Sequence, residues 1–132
     1  MSSPFRIGLS AFKMSRLRFP KVARLSRASD FARLRREGIS FHGKLVVLSI
    51  LKTGPGTRTQ IGLITSRRVG SAVARNRVRR RLREIVRALQ PVIEAGVQLV
   101  LIARAAAARA EFATLRDDVL TLLRRGAILL PT

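Results

Sequence analysis

The chain contains no cysteine, which excludes a disulfide framework, a thiolate nucleophile and a cysteine zinc site. Histidine is almost as scarce, since His42 stands alone and cannot build a His-rich metal site. Acids are few: 7 Asp+Glu face 27 Lys+Arg, for a formal net charge of +20. No apolar run approaches the roughly 20 residues that a membrane-spanning helix needs, so no membrane association is expected. The N-terminus lacks the continuous apolar block of a secretory signal. Residues 1–18 are basic, Ser-containing and free of acids; they read as a disordered basic arm, with an organelle transit peptide as the alternative. A reducing, cytoplasmic setting is the expectation.

The rest of the composition is that of a folded protein. A length of 132 residues suits one domain with a modest core, and a hydrophobic content of 47% is too high for a disordered basic tail. A folded surface this strongly charged repels itself, which is useful when the partner is a polyanion. Lys occurs only at 13, 21, 44 and 52, and Arg supplies the other 23 basic residues. Arg offers phosphate a planar fork of donors and stacks on bases, so the bias favours a nucleic acid.

The element order reads as helix, strands, helix, strand, helix: an α+β two-layer sandwich in which helices pack on a small, mainly antiparallel sheet. SRASDFARLRREG is a short helix, with Ser26 or Ser29 as N-cap candidate and Gly38 suited to a left-handed C-terminal position. The run Lys44–Leu51 is apolar on both alternating faces, as in a strand covered on both sides. A turn at Thr53–Thr57 and a second strand at Arg58–Ser66 predict an antiparallel hairpin. A third strand spans Val97–Ala103. The last helix covers about Glu111–Arg125, with Phe112, Leu115, Val119, Leu122 and Leu123 on one side, and Gly126 stops it.

The informative segment is Ser66–Leu89. At 100° per residue, Val78, Leu82, Ile85, Val86 and Leu89 fall within an arc about 100° wide, a core-facing stripe. Asn76, Arg79, Arg80, Arg83 and Arg87 occupy the adjoining polar flank, and Arg77 and Arg81 lie further round. Nine Arg but one acid, Glu84, stand between Arg67 and Arg87. Each like-charge i, i+4 pair costs an isolated helix roughly 0.2–0.5 kcal/mol, and locally Glu84 offsets this through Arg80 or Arg81. A merely solubilising face normally mixes signs, so a polyphosphate-binding helix is the stronger reading. Arg67, Arg68 and Gly70, just ahead of the helix, add charge and backbone donors near its positive end.

Protein nucleases use positioned carboxylates with metals, or His acid–base pairs. Here Glu84 is embedded among Arg, and Asp117 and Asp118 are helical neighbours pointing about 100° apart, a poor geometry for a shared metal. No catalytic residue and no metal site is expected in the protein itself.

Arg75-Asn76-Arg77, followed by Val78-Arg79-Arg80-Arg81-Leu82-Arg83-Glu84, closely resembles the signature of the bacterial ribonuclease P protein component. Arg24-Leu25, Asp30-Phe31 and Gly38 upstream, and Ile102-Ala103-Arg104 downstream, look like the same family, over about residues 19–125. The resemblance implies a protein subunit of ribonuclease P that assists a catalytic RNA in removing the 5′ leader of precursor tRNA. Hydrolytic cleavage and its Mg2+ would belong to the assembled ribonucleoprotein. The partners implied are the catalytic RNA and precursor tRNA, with no protein partner.

Carried over by this resemblance, contacts to the catalytic RNA fall on Arg67, Arg68, Arg75, Asn76, Arg77, Arg79, Arg80 and Arg83, and Arg87 continues that flank. A cleft between the first helix and the sheet would receive the single-stranded leader, with Phe31 offering a stacking face. Two positions where relatives often carry aromatics align with Arg35 and Leu48, implying stacking on Arg35 and only apolar contact at Leu48. Phe31 as plain core and Asn76 as a turn brace remain the bland alternatives. The family's fold implies a left-handed strand–helix–strand crossover, against the usual right-handed rule. Residues 19–130 are then a single RNA-binding domain. The competing function is a non-catalytic structural RNA-binding protein of ribosomal or chaperone type. Both readings predict that neutralising about six to eight phosphates gives log K against log salt a slope of about −4 to −7.

Overall fold

A computed structural model describes residues 28–54 and 56–130. The basic arm 1–18, Arg24-Leu25 and Ser26 lie outside the described residues. The elements are α1 (Ala28–Glu37), β1 (Ile39–His42), β2 (Val46–Lys52), β3 (Gln60–Thr65), α2 (Ala72–Leu89), β4 (Val97–Ala103) and α3 (Phe112–Arg125). Short 3-10 turns at Arg67–Val69, Gln90–Val92 and Ala105–Arg109 link them.

The strands form one four-stranded sheet in the order β1-β2-β4-β3. The expected hairpin between the strands at Lys44–Leu51 and Arg58–Ser66 does not form. β2 pairs antiparallel with β4 from Val46↔Ala103 to Lys52↔Val97, and β3 pairs parallel with β4 from Gln60↔Gln98 to Thr65↔Ala103. The physical reason is burial. All of β4 except Ile102 is buried, so it takes the inner position with a strand on each edge. β3, with Gln60 and Thr65 at its ends, is left at the edge. The turn signal at Thr53–Thr57 marks a real loop, which ties instead to the segment before β4 through Thr53 N to Gly96 O at 2.7 Å and Thr59 Oγ1 to Glu94 O at 2.7 Å. β1, not foreseen from the sequence, is a four-residue edge strand paired with β2.

Period-2 alternation divides the sheet into two unlike faces. Val46, Leu48 and Ile50 of β2, Ile61 of β3, and Leu99 and Leu101 of β4 join Val78, Leu82, Ile85, Leu115, Val119 and Leu122 in the main core under α2 and α3. Val100, Leu51, Ile64 and Ile102 point the other way and pack with Phe31 and Leu34 of α1. The α+β class stands. The two expected layers are the sheet and the α2/α3 pair, and α1 adds partial cover on the second face.

Three local expectations need correction. Ser29 lies inside α1 rather than capping it. Gly38 is not left-handed: a Cβ there would lie 2.5 Å from Leu34 O and 2.8 Å from Ile50 O, so glycine serves close approach of the helix end to β2. Phe112, the first residue of α3, is exposed, whereas Leu115, Val119, Leu122 and Leu123 are buried as the pattern required.

Candidate nucleic-acid interface

The segment Ser66–Leu89 folds in two steps. Ser66 Oγ accepts from Arg68 N at 3.3 Å and opens the turn carrying Arg67 and Arg68. Gly70, at φ +138°, then redirects the chain through a conformation that a side chain would strain. Ser71 caps α2, its Oγ accepting from Ala74 N at 3.2 Å. Val78, Leu82, Ile85 and Val86 are buried and Leu89 is half-buried, so the apolar stripe lies where the periodicity put it.

The outer surface of α2 sorts its arginines into two groups. Some are held by the protein. Arg75 Nη1 donates to Gly70 O at 3.2 Å; Arg79 donates to Thr65 Oγ1 at 2.7 Å and Asn76 Oδ1 at 3.3 Å; Arg81 Nη1 reaches Ala110 O at 2.9 Å. Glu84 pairs with Arg87 at 2.6 Å, not with Arg80 or Arg81 as expected, because Arg81 is turned away toward Ala110. Arg77 and Arg80, joined by Arg67 and Arg68 on the turn ahead of the helix, are exposed and pair with no carboxylate among the described residues. A shallow groove of about 440 Å³ runs between Val73, Asn76, Arg79, Arg80 and Arg83. Val73 at its rim is 75% exposed, an apolar contact beside a guanidinium row.

Asn76 thus has two roles: its carbonyl orients Arg79, and its side chain lines the groove.

The second region is the face shared with α1. Phe31 is half-buried against the aliphatic cluster, so it packs on the sheet and leaves part of its surface accessible. Arg35 is exposed. Leu48 does not belong to this region: it is 0% exposed and points into the core beneath α2 and α3. A strand's side chains alternate, so the residues of β2 on the α1 side are Val47, Ser49 and Leu51. An alignment displaced by one residue places a cleft residue on the wrong face.

At the carboxyl ends of β3 and β4 a groove of about 670 Å³ opens between His42, Lys44, Val47, Arg68, Ile102 and Arg104. Lys44, Arg68 and Arg104 supply three cations, and Val47 and Ile102, cross-strand partners, supply an apolar floor. Arg68 was expected from the sequence as an RNA contact. Val47, Lys44 and His42 were not, although parity with Leu51 would have pointed to Val47. Arg68 thus stands between the α2 surface and this groove. Among the described residues no group of three or more His, Asp or Glu gathers as metal donors, and no helix is long and apolar enough to cross a membrane.

Comparison with known proteins agrees with this architecture. The family described as Ribonuclease P matches residues 19–126. The chain is 39% identical over 109 residues to the ribonuclease P protein component of Symbiobacterium thermophilum, covering 83% of this chain and 95% of that one. It is 44% identical over 108 residues to that of Acidothermus cellulolyticus, covering 80% and 89%. Among solved structures, the RNase P protein from Thermotoga maritima superimposes with a TM-score of 0.69 at 33% identity, over 77% of this chain and 96% of that one. The Staphylococcus aureus RNase P protein shares the fold, with a TM-score of 0.76 at 23% identity over 83% and 99%.

Proposed function

This chain belongs to the bacterial ribonuclease P protein component family, and from that premise we propose that it serves as the subunit that binds the catalytic RNA through α2 and the 5′ leader of precursor tRNA through the α1-side groove. Its work is in tRNA 5′ processing, within the bacterial cytoplasm. The carrying observation is the division of α2 and the turn before it: four buried aliphatics anchor the helix to the sheet, while exposed Arg77 and Arg80 on the helix, and Arg67 and Arg68 on the turn, lack carboxylate partners among the described residues. Unneutralised guanidinium groups on a rigid helix suit phosphate, whose oxygens they meet in a bidentate fork.

In this reading the phosphodiester is cut by the RNA subunit, with magnesium ions that the ribonucleoprotein supplies. Among the described residues no group of three or more His, Asp or Glu gathers as metal donors. The protein's own residues bind and orient. Cations of α2 reduce repulsion between two polyanions, the catalytic RNA and the precursor. On the α1 side, Phe31 offers a ring face for a leader base, Val47 and Ile102 offer apolar contact, and Lys44, Arg68 and Arg104 meet the leader's phosphates. Because only the precursor carries a leader, this second set of contacts favours substrate over product.

The test is reconstitution: precursor tRNA with the cognate catalytic RNA at moderate magnesium, with and without the protein. The expected result is faster cleavage and tighter precursor binding when the protein is present. Cleavage unchanged by the protein would refute the subunit role and leave a structural RNA-binding protein.

A further inference from the structure

The α1-side groove is lined by residues of β2 and β4, by the turns that carry Arg68 and Ala105, and by the turn between β1 and β2. That turn is fastened from outside. The carboxylate of Asp118, on α3, accepts from three successive backbone N–H groups: Lys44 N at 3.3 Å, Leu45 N at 2.9 Å and Val46 N at 3.1 Å. Successive N–H groups converging on one anion form a nest, and charge-assisted bonds of this kind are stronger than neutral ones. The turn's carbonyls are held as well. Arg104 Nη1 donates to Gly43 O at 2.8 Å, and Arg125 Nη1 donates to His42 O at 3.1 Å. Gly43 is required by the approach, since a Cβ there would stand 2.5 Å from Asp118 Oδ2 and 2.9 Å from Oδ1.

In a protein with 27 basic residues and 7 acids, an aspartate would be expected to pair with an arginine. The carboxylate of Asp118 instead takes main-chain donors. What this fixes is the base of Lys44, whose side chain lines the groove beside Arg68 and Arg104. The geometry points to Asp118 as a positioning residue for leader binding: its carboxylate clamps the His42–Val46 turn and so aims Lys44 at the phosphates of a strand in the groove. A clamped backbone loses less conformational freedom when its side chain engages a ligand. This inference rests on the leader-binding reading above.

The proposal opposes simple electrostatics, which makes it testable by sign. Removing an acid raises the net charge and, by charge alone, tightens polyanion binding. Positioning predicts the reverse. In the reconstituted holoenzyme, Asp118→Ala is expected to weaken binding of precursor tRNA several-fold while binding of leaderless tRNA is unchanged. The slope of log K against log salt should become shallower by about 0.7, one single-strand phosphate contact. Lys44→Gln should do the same, and the double variant should bind no more weakly than Lys44→Gln alone.

Gly43→Ala, which pushes the turn from the carboxylate and leaves every charge in place, should reproduce Asp118→Ala and serves if that variant does not fold. Precursor binding as tight as wild type in either variant, or fully additive losses in the double variant, would overturn the proposal. Equal losses for precursor and leaderless tRNA would do so too, because they would mark a general structural role. A wild-type holoenzyme with no preference for the precursor overturns the leader reading and this inference together, whereas a preference preserved in Asp118→Ala overturns the inference alone.

Discussion

α2 and α3 lie against the same face of the sheet and do the same work on their inner sides. Val78, Leu82, Ile85 and Val86 from one helix, and Leu115, Val119, Leu122 and Leu123 from the other, are all buried. Their outer sides differ. α2 carries seven arginines against Glu84 alone, while α3 mixes Arg116, Arg124 and Arg125 with Asp117 and Asp118. Asp118 and Arg125 turn back to the protein and fasten the β1–β2 turn. Burial therefore reports only that both helices belong to the core. The sign and pairing of the exposed charges tell a helix built to meet a partner from one built to brace the fold.

The largest effects are expected where the two helices are alike, in the core. Leu82→Ala and Leu122→Ala should each cost about 2–5 kcal/mol of stability, since both side chains are fully buried, and thermal or denaturant unfolding measures the loss. A large loss in one and none in the other would mean that only one helix is integral to the core.

Next comes the feature that separates them. Arg77→Ala combined with Arg80→Ala should leave the melting temperature nearly unchanged and weaken assembly with the catalytic RNA, by about 1.5–3 kcal/mol for each charge-assisted hydrogen bond removed. The salt slope should become shallower by roughly 1.5 for two phosphates no longer neutralised. An unchanged slope in a filter-binding titration would show that the α2 arginines do not face RNA.

A smaller effect is expected on the α1 side. Phe31→Ala removes a stacking face worth about 1–3 kcal/mol per base, so precursor tRNA should suffer more than leaderless tRNA in a competition assay. Equal weakening would make Phe31 packing only. The smallest effect belongs to Arg116→Ala on the exposed side of α3, which should stay within about 0.5 kcal/mol in stability and leave the salt slope as it was. A clear drop in RNA affinity there would extend the RNA surface to α3 and erase the contrast.

The legible parts of this protein were those whose cause is local. The stripe of α2 depends on a 3.6-residue period, and the ends of β4 depend on a continuous apolar run; both stand where the residues put them. The pairing of strands was less legible, because a turn signal at Thr53–Thr57 says that the chain reverses and not which strand it will meet. β4, from more than thirty residues onward, displaced β3 from β2. Leu48 was placed in the cleft by the family resemblance, and hydropathy could not check it: apolar residues fill both faces of β2, and the face is set by α1 on one side and α2 and α3 on the other.

Composition and periodicity were enough for a folded basic domain and an arginine-rich helix with one greasy edge, and the run from Arg75-Asn76-Arg77 to Glu84 carried the resemblance to the family. It took the packed fold to set which cations lack acidic partners among the described residues, which residues of β2 face the groove, and that Asp118 reaches across more than seventy residues to hold a turn. The division has a physical origin. A periodicity is a property of neighbours along the chain, whereas hydrogen-bond partners and exposed faces depend on which distant segments the core brings together.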